Sequence, residues 1–335
     1  MNGPATTRRG VLRGAAALGL ARLAAPALAS AQDTAPAPVI SRGRTKVILL
    51  GSQGGQQITQ ITGSNVRCGP SVLIDVDGVV TIIDCGCGSV HRIAEAGYDL
   101  TAVRNVLITH HHADHNAELG SLVSFAWSSG RAGGSDRRLD IYGPTGTKAY
   151  KRGFGQSFHV SIHDQETALG QKPKLATFAH WHEFAPPKTP KRVLEDSRFD
   201  VRAIRVDHGS VPAVGYRVRT PDVDLAFSGD RGGKGDTFVP FAKGADALFH
   251  EIIDLDVVLP ALKQQKASPK FIDHIVNDHS DPKTVGAAAT GAGVGTLVLY
   301  HLIPGNPGIS DDQWTSMVSP HYSGRIIAGR DLLVV

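Results

Sequence analysis

The stretch LITHHHADH, residues 107–115, places four histidines and an aspartate within six positions, directly after an apolar run. In an extended or tightly turned segment side chains alternate, so His110 and His112 point one way and His111 the other. Asp114 and His115 follow after one residue and can face a second point close by. Imidazole and carboxylate are ligands for zinc and similar divalent ions, and the H-x-H-x-D-H spacing can serve two adjacent ions. A single histidine here would read as a polar loop residue. Five ligand-type side chains at a strand end read as a metal site. Two ions need further ligands, and three strand-like runs each end in one: His208 in IRVDHGS, Asp230 in AFSGD and His301 in LVLYH.

The elements that must position these groups are short. TKVILLGS (45–52), SVLIDVDG (71–78) and VVTIIDCG (79–86) are β-branched runs, with DVDG as a hairpin signal between the last two. VRNVLITH is another strand, DHNAELGSLVSFAWSSG a helix with a glycine stop, RLDIYGP a strand and TGTKAYKRGFG a short helix. Residues 155–198 lack clear periodicity and hold Pro173, APPKTP and several histidines, so they are expected to form an insertion or lid. His159, His163, His180, Trp181 and His182 are its candidates for lining a pocket. FDVRAIRVDH, AVGYRVRT and VDLAFSGD follow as three strands and DALFHEII as a fourth. DPKTVGAAATGAGV reads as a helix, GTLVLYH as a strand and GRIIAGRDLLVV as a closing strand pair. Each half is a set of strands followed by helices, without a short repeat. The layout predicts an α/β fold of two mixed sheets packed together, with helices outside.

Composition is that of a globular chain: 335 residues, 41% hydrophobic, 20% charged and a net charge of +4. No long basic stripe with interleaved aromatics is present, so no nucleic-acid partner is expected. At the N-terminus, TTRRGVLRG (6–14) precedes the weakly apolar AAALGLARLAAPALASA. Basic region, apolar region and small-residue site have the layout of a signal peptide over residues 1–31, with cleavage after Ala29 or Ala31. Arg8 and Arg9, followed by Val11 and Leu12, resemble a twin-arginine export signal. The run is too short to span a membrane and is broken by Arg22. A linker is expected over 32–43 and the globular domain over 44–335, exported by the twin-arginine machinery to the periplasm or beyond. Cys68, Cys85 and Cys87 are too few for a disulfide framework. Cys85 and Cys87 are read as buried thiols, with a disulfide from Cys68 left open.

With the ligand set in view, the chain resembles the metallo-β-lactamase superfamily from about residue 45 onward. The resemblance implies an αββα sandwich with a dinuclear site at the sheet ends. It implies that His110, His112 and His208 hold one zinc, that Asp114, His115 and His301 hold the other, and that Asp230 bridges them. Manganese or iron would suit the same donors. A hydroxide held between the ions would be the nucleophile.

Asp230 stands where the better-known zinc β-lactamases have cysteine. Further segments resemble the ribonuclease Z-like branch. IIDCGCG is similar to its DCGEG motif, with Cys87 departing from the glutamate. DHGSVPAVGYRV is similar to its third motif. FHEII resembles its HEAT segment at His250 and Glu251, and NDHSDP resembles its HST segment at His279. The branch implies that His279 protonates the leaving oxygen, oriented by Glu251 or His250, with Asp114 beside it at the reacting centre. The long arm with which that branch grips tRNA has no counterpart between His208 and Asp230. Among arm-less members, VLYHLIPG and PHYSGRIIAGRDLLVV look like those of arylsulfatase-like and phosphodiesterase-like proteins. That likeness would bring His321 to the site mouth. The expected activity is hydrolysis of a small sulfate or phosphate ester, and the resemblance implies that a homodimer can form. The alternatives are a lactonase or thioesterase and, behind them, a tRNA 3′-processing endoribonuclease.

Overall fold

The computed structural model describes residues 39–56, 67–130, 138–233, 237–305 and 309–335. The expected signal peptide and the first part of the expected linker lie outside them. The described residues form one compact unit. Among the described residues no helix is long and apolar enough to cross a membrane.

Among the described residues thirteen strands form two sheets. The first contains β1 (Thr45–Gly51), β2 (Ser71–Val76), β3 (Val79–Ile83), β4 (Val103–Leu107), β5 (Leu139–Pro144) and β6 (Ala179–Phe184), in that spatial order. The second contains β7 (Lys191–Glu195), β8 (Asp200–Val206), β9 (Ala213–Arg219), β10 (Asp224–Phe227), β11 (Ala247–Ile253), β12 (Thr296–Ile303) and β13 (Arg325–Ala328), again in chain order across the sheet. Each sheet opens with an antiparallel meander and continues with parallel strands: from β3 onward in the first, from β10 onward in the second. The two halves thus share a topology that their sequences do not display as a repeat. The β2–β3 hairpin turns at Asp77 and Gly78, both at positive φ (54° and 78°), which is why Asp-Gly marks it.

Alternation along the strands builds the layers. Leu225 and Phe227 of β10, with Val298 and Tyr300 of β12, face the first sheet and meet Val47, Leu49, Ile74 and Leu107 in the central core. Ala226, Leu297 and Leu299 face the other way and carry Val285, Ala289, Trp314 and Val318 from helices. On the outer face of the first sheet, Ile82 and Val106 pack on Ile93, Leu122 and Trp127. Every strand buried on both faces reads as a near-continuous apolar run, and each such side chain contributes about 1.5–3 kcal/mol.

Four expectations need correction. Residues 155–198 are the crossover between halves rather than a lid. They hold the helices His159–Thr167 and Leu175–Phe178 and the two edge strands β6 and β7. Edge strands are half-exposed and charged, so their period was hidden. The helix expected after the histidines is two, Ala113–Asn116 and Leu119–Ser129. The closing pair is split between sheets: β13 edges the second, whereas Leu332 and Leu333 exchange backbone hydrogen bonds with Leu49 of β1. Residues 39–43, read as linker, dock on the fold, with Ile40 in the central core and Ser41 N–H on the Val335 carbonyl at 2.6 Å.

Candidate metal centre

The ends of β4, β8, β10 and β12 reach one edge of the sandwich, because β8 and β10 are each antiparallel to β9 and therefore run the same way. The ligand-bearing loop after β4 is tied to the second sheet: Tyr216 Oη of β9 donates to the Ile108 carbonyl at 2.8 Å, and Val214 N–H to that of Thr109 at 3.0 Å. His112 then sits at the N-cap position of the helix Ala113–Asn116, which carries Asp114 and His115. At β12, two residues, Tyr300 and His301, oppose the single Glu251 of β11. This bulge, with His301 at φ 48°, turns the imidazole into the site.

His110 Nε2 and His208 Nε2 each lie 3.1 Å from His112 Nδ1. Asp230 Oδ2 stands 3.7 Å from the first and 3.9 Å from the second. On the other side, His301 Nε2 is 3.3 Å from Asp114 Oδ2 and 3.1 Å from Asp230 Oδ2, while His115 Nε2 is 3.3 Å from Asp230 Oδ1 and 3.7 Å from Asp114 Oδ2. Asp230 therefore touches both sets. A tetrahedral ion with bonds of about 2.05 Å separates its donors by about 3.3 Å, which these spacings match. Each set could hold a metal ion. His115 Nε2 and Asp230 Oδ1, both buried, face each other without a hydrogen bond.

Neighbours fix which nitrogen faces inward. His208 Nδ1–H donates to the Asp278 carbonyl at 2.9 Å, so its Nε2 lone pair is free. His115 Nδ1–H donates to Asp84 Oδ2 at 2.8 Å. Thr109 Oγ1 gives its proton to that same carboxylate oxygen (2.8 Å) and so accepts from His110 Nδ1 at 3.1 Å. Such outer partners orient metal ligands.

The charge balance favours a cation. Burial, aided by His115, holds the His110 imidazole well below its usual range, and burial with His208 pushes His112 down to about 4. In the other set the carboxylates win. Burial opposes protonation of His301, yet Asp230 and Asp114 raise it to about 10; His115 is likewise raised, by Asp230 and Asp84. Burial pushes Asp114 up, but His115 and His301 more than reverse this and bring it to about 2. Protons on His115 and His301 compensate buried carboxylates, a role that divalent ions fill with better geometry.

Glu251 is fully buried. Its Oε1 accepts from Arg231 N–H (3.1 Å) and Ser280 N–H (2.9 Å), and its Oε2 from His279 Nδ1–H (2.9 Å). Burial works against the His279 imidazolium, but Glu251 outweighs it and raises the pKa. His279 also groups with Asp230 and His301, ligand atoms within 4.8 Å of one another. Glu251 thus orients His279. His250 instead bonds its own residue's neighbour, the Glu251 carbonyl, and Arg231.

The remaining candidates lie elsewhere. His111 bonds Thr147 and Asn116, on the opposite side from His110 as expected. His159 and His163 stack on an exposed helix. His180 bonds the Thr177 carbonyl, Trp181 packs near Phe154, and His182 bonds Asp140. His321 packs against Gly286. Cys85 is buried, but Cys87 is exposed, and all three thiols are free. Sequence reasoning missed Asp84, whose role depends on a tertiary contact. It also missed His274 and Asp278 on the helix Pro269–Asn277 and its C-cap. The Ser268-Pro269 pair, an N-cap followed by proline at the first helical position, was the available signal.

A family model described as "Beta-lactamase superfamily domain" matches residues 81–302. Among curated proteins, the chain is 32% identical over 281 residues to "Ribonuclease Z" of Mycobacterium bovis (strain BCG / Pasteur 1173P2), covering 81% of this chain and 94% of that one. Among solved structures it is similar to the metallo-β-lactamase fold protein YhfI from Bacillus subtilis, at TM-score 0.60 and 22% identity over 87% of this chain and 98% of that one. It is also similar to a diphosphatase from the PhnP family, at TM-score 0.59 and 17% identity over 87% and 97%.

Proposed function

The chain belongs to the β-lactamase superfamily, as a metal-dependent hydrolase fitting its ribonuclease Z-like branch, and from that premise we propose that it hydrolyses small sulfate or phosphate esters. His110, His112 and His208 would hold one divalent ion, Asp114, His115 and His301 a second, and Asp230 both. Zinc fits this nitrogen and oxygen set, and manganese or iron would also be accepted. When bound, two such ions lower the pKa of water towards neutrality and neutralise charge developing on the ester.

The observation that carries the reading is the His279–Glu251 pair beside the ligands, at 2.9 Å. A carboxylate on Nδ1 stabilises the imidazolium and leaves Nε2–H facing the site, where it can protonate a departing alkoxide or phenolate. Esters with poor leaving oxygens need that proton most. Asp84, Thr109 and the Asp278 carbonyl hold the ligand imidazoles in register before substrate arrives. Between His208 and Asp230 the chain makes only β9, a short turn and β10, which leaves a small substrate as the better fit than tRNA. The relatives named ribonuclease Z support the second reading, an endoribonuclease. A lactonase or thioesterase would share the ligands but have less use for His279.

Turnover of metal-replete protein should be compared on an aryl sulfate, an aryl phosphate diester, an aryl lactone and a precursor tRNA. Sulfate or diester hydrolysis abolished by chelator is expected. Preference for the lactone, or cleavage of the tRNA alone, overturns the proposal. The layout of residues 6–31 supports export as part of the same reading, and fractionation of cells expressing the full chain and an Arg8→Lys/Arg9→Lys variant tests it.

A further inference from the structure

Beside the centre stands another imidazole that the proposed reaction does not use. His274, on the last turn of the helix Pro269–Asn277, donates Nδ1–H to Asp278 Oδ2 at 2.7 Å. Its Nε2 lone pair is therefore the free one. His279 has the same arrangement, its Nδ1–H on Glu251. A carboxylate on the far nitrogen is the usual outer support of a metal-bound histidine. His208, His274 and His279 each offer a ligand atom within 4.8 Å of the others. The His274 and His279 rings lie 5.6 Å apart between centroids, at 69°. Two imidazoles on one tetrahedral ion place their centroids about 5 Å apart. The His274 side chain is 30% exposed, so an ion can reach it from solvent. Gly209 makes room for the carboxylate: a Cβ there would sit 2.4 Å from Asp278 Oδ2.

We propose that His274 and His279 form an auxiliary site for a borderline divalent cation such as zinc, and that filling it inhibits the enzyme by occupying the nitrogen of His279 that faces the substrate. His208 is the third neighbour, but its free nitrogen faces His110 and His112. Two imidazoles with water completing the shell make a weaker site than the main one, so it fills only when zinc exceeds the two equivalents held by the main centre. The inhibition rests on the proton-donor reading of His279; the binding does not.

The test titrates zinc onto protein already loaded with two ions, with bound metal read by equilibrium dialysis and turnover followed on the aryl diester. The exposed His159 and His163, stacked one helical turn apart, could compete for zinc, so the decisive quantity is the difference from His274→Ala at equal free zinc. Wild type should bind one ion more than His274→Ala and lose turnover over the same zinc range, and the variant's inhibition midpoint should rise at least tenfold. Asp278→Asn should weaken the extra ion about 10–100-fold. Equal stoichiometry in wild type and His274→Ala overturns the site. So does a His274→Ala protein that holds fewer than two tight ions, since His274 would then belong to the main centre. Extra zinc bound by wild type with no ester turned over leaves this site standing and removes the hydrolase reading instead.

Discussion

Asp84→Asn isolates what an outer carboxylate does for the centre. Asp84 is fully buried and accepts from Thr109 N–H (2.7 Å), Thr109 Oγ1 (2.8 Å) and His115 Nδ1–H (2.8 Å). Asparagine has the same shape. Its carbonyl oxygen can keep the Thr109 N–H, which leaves an NH2 group against His115 Nδ1. Two donors cannot face each other, so His115 must give up its Nδ1 proton and keep its remaining proton on Nε2, the nitrogen that faces Asp230. Ligation at that nitrogen then requires breaking the new amide contact. Loss of such an outer partner weakens metal binding about 10–100-fold, or about 1.4–2.7 kcal/mol. Competition with a fluorescent chelator resolves two affinities, and the one belonging to Asp114, His115 and His301 should fall by that factor. The other should fall less, through Thr109 and His110 alone. Asp84→Ala differs in kind, because it also strands the buried Thr109 N–H and costs about 1–3 kcal/mol of stability. Both affinities staying within threefold of wild type in a folded Asp84→Asn protein would refute the tautomer argument.

Asp230→Ala should lose at least one metal and nearly all turnover, since its two oxygens face both ligand sets; elemental analysis with near-normal metal and activity would remove the dinuclear arrangement. Glu251→Gln should retain two metals yet lose activity most on esters with poor leaving groups, because the charge-assisted bond that favours the imidazolium is gone; a rate loss independent of the leaving group, measured across a series of aryl esters, counts against His279 as proton donor. Burial, opposed by Arg92, holds the Cys68 thiol up at about 11, whereas Cys87 is exposed. Iodoacetamide at pH 8 should therefore modify Cys87 first, and mass spectrometry finding Cys68 labelled as fast rejects the assignment. Because the folded value lies above the ordinary 9.0, Cys68 contributes stability that is full below pH 9 and is lost as pH rises through 11.

The strands were legible because burial on alternate faces leaves β-branched runs, and seven ligand candidates were legible because each ends or follows such a run. The structure brings all seven together. What could not be read depends on partners far away in the chain. Nothing local in IIDCG says that Asp84 will meet His115, thirty-one positions on. FHEII offers His250 and Glu251 equally, and only the pleat of β11 and the bulge opposite decide that Glu251 meets His279. In the helix Pro269–Asn277 the apolar Phe271 and Val276 are exposed, so residue type alone does not say which of its side chains are buried. LLVV at the end reads as a strand of its own sheet, yet it pairs across to β1, a choice made by tertiary packing.

The division of ligands between the two halves has a mechanical consequence. His110, His112, Asp114 and His115 come from the first half, and His208, Asp230 and His301 from the second. Neither half can complete either ion's shell alone, so each proposed ion is a cross-link between the sheets, placed at their open edge. Sliding one sheet against the other would pull donors apart before it disturbed the apolar core. At free metal a thousandfold above its dissociation constant, one such cross-link adds about 4 kcal/mol of resistance to separation. The centre is then a rivet as well as a catalyst, and chelation should loosen the seam between the sheets from this edge inward.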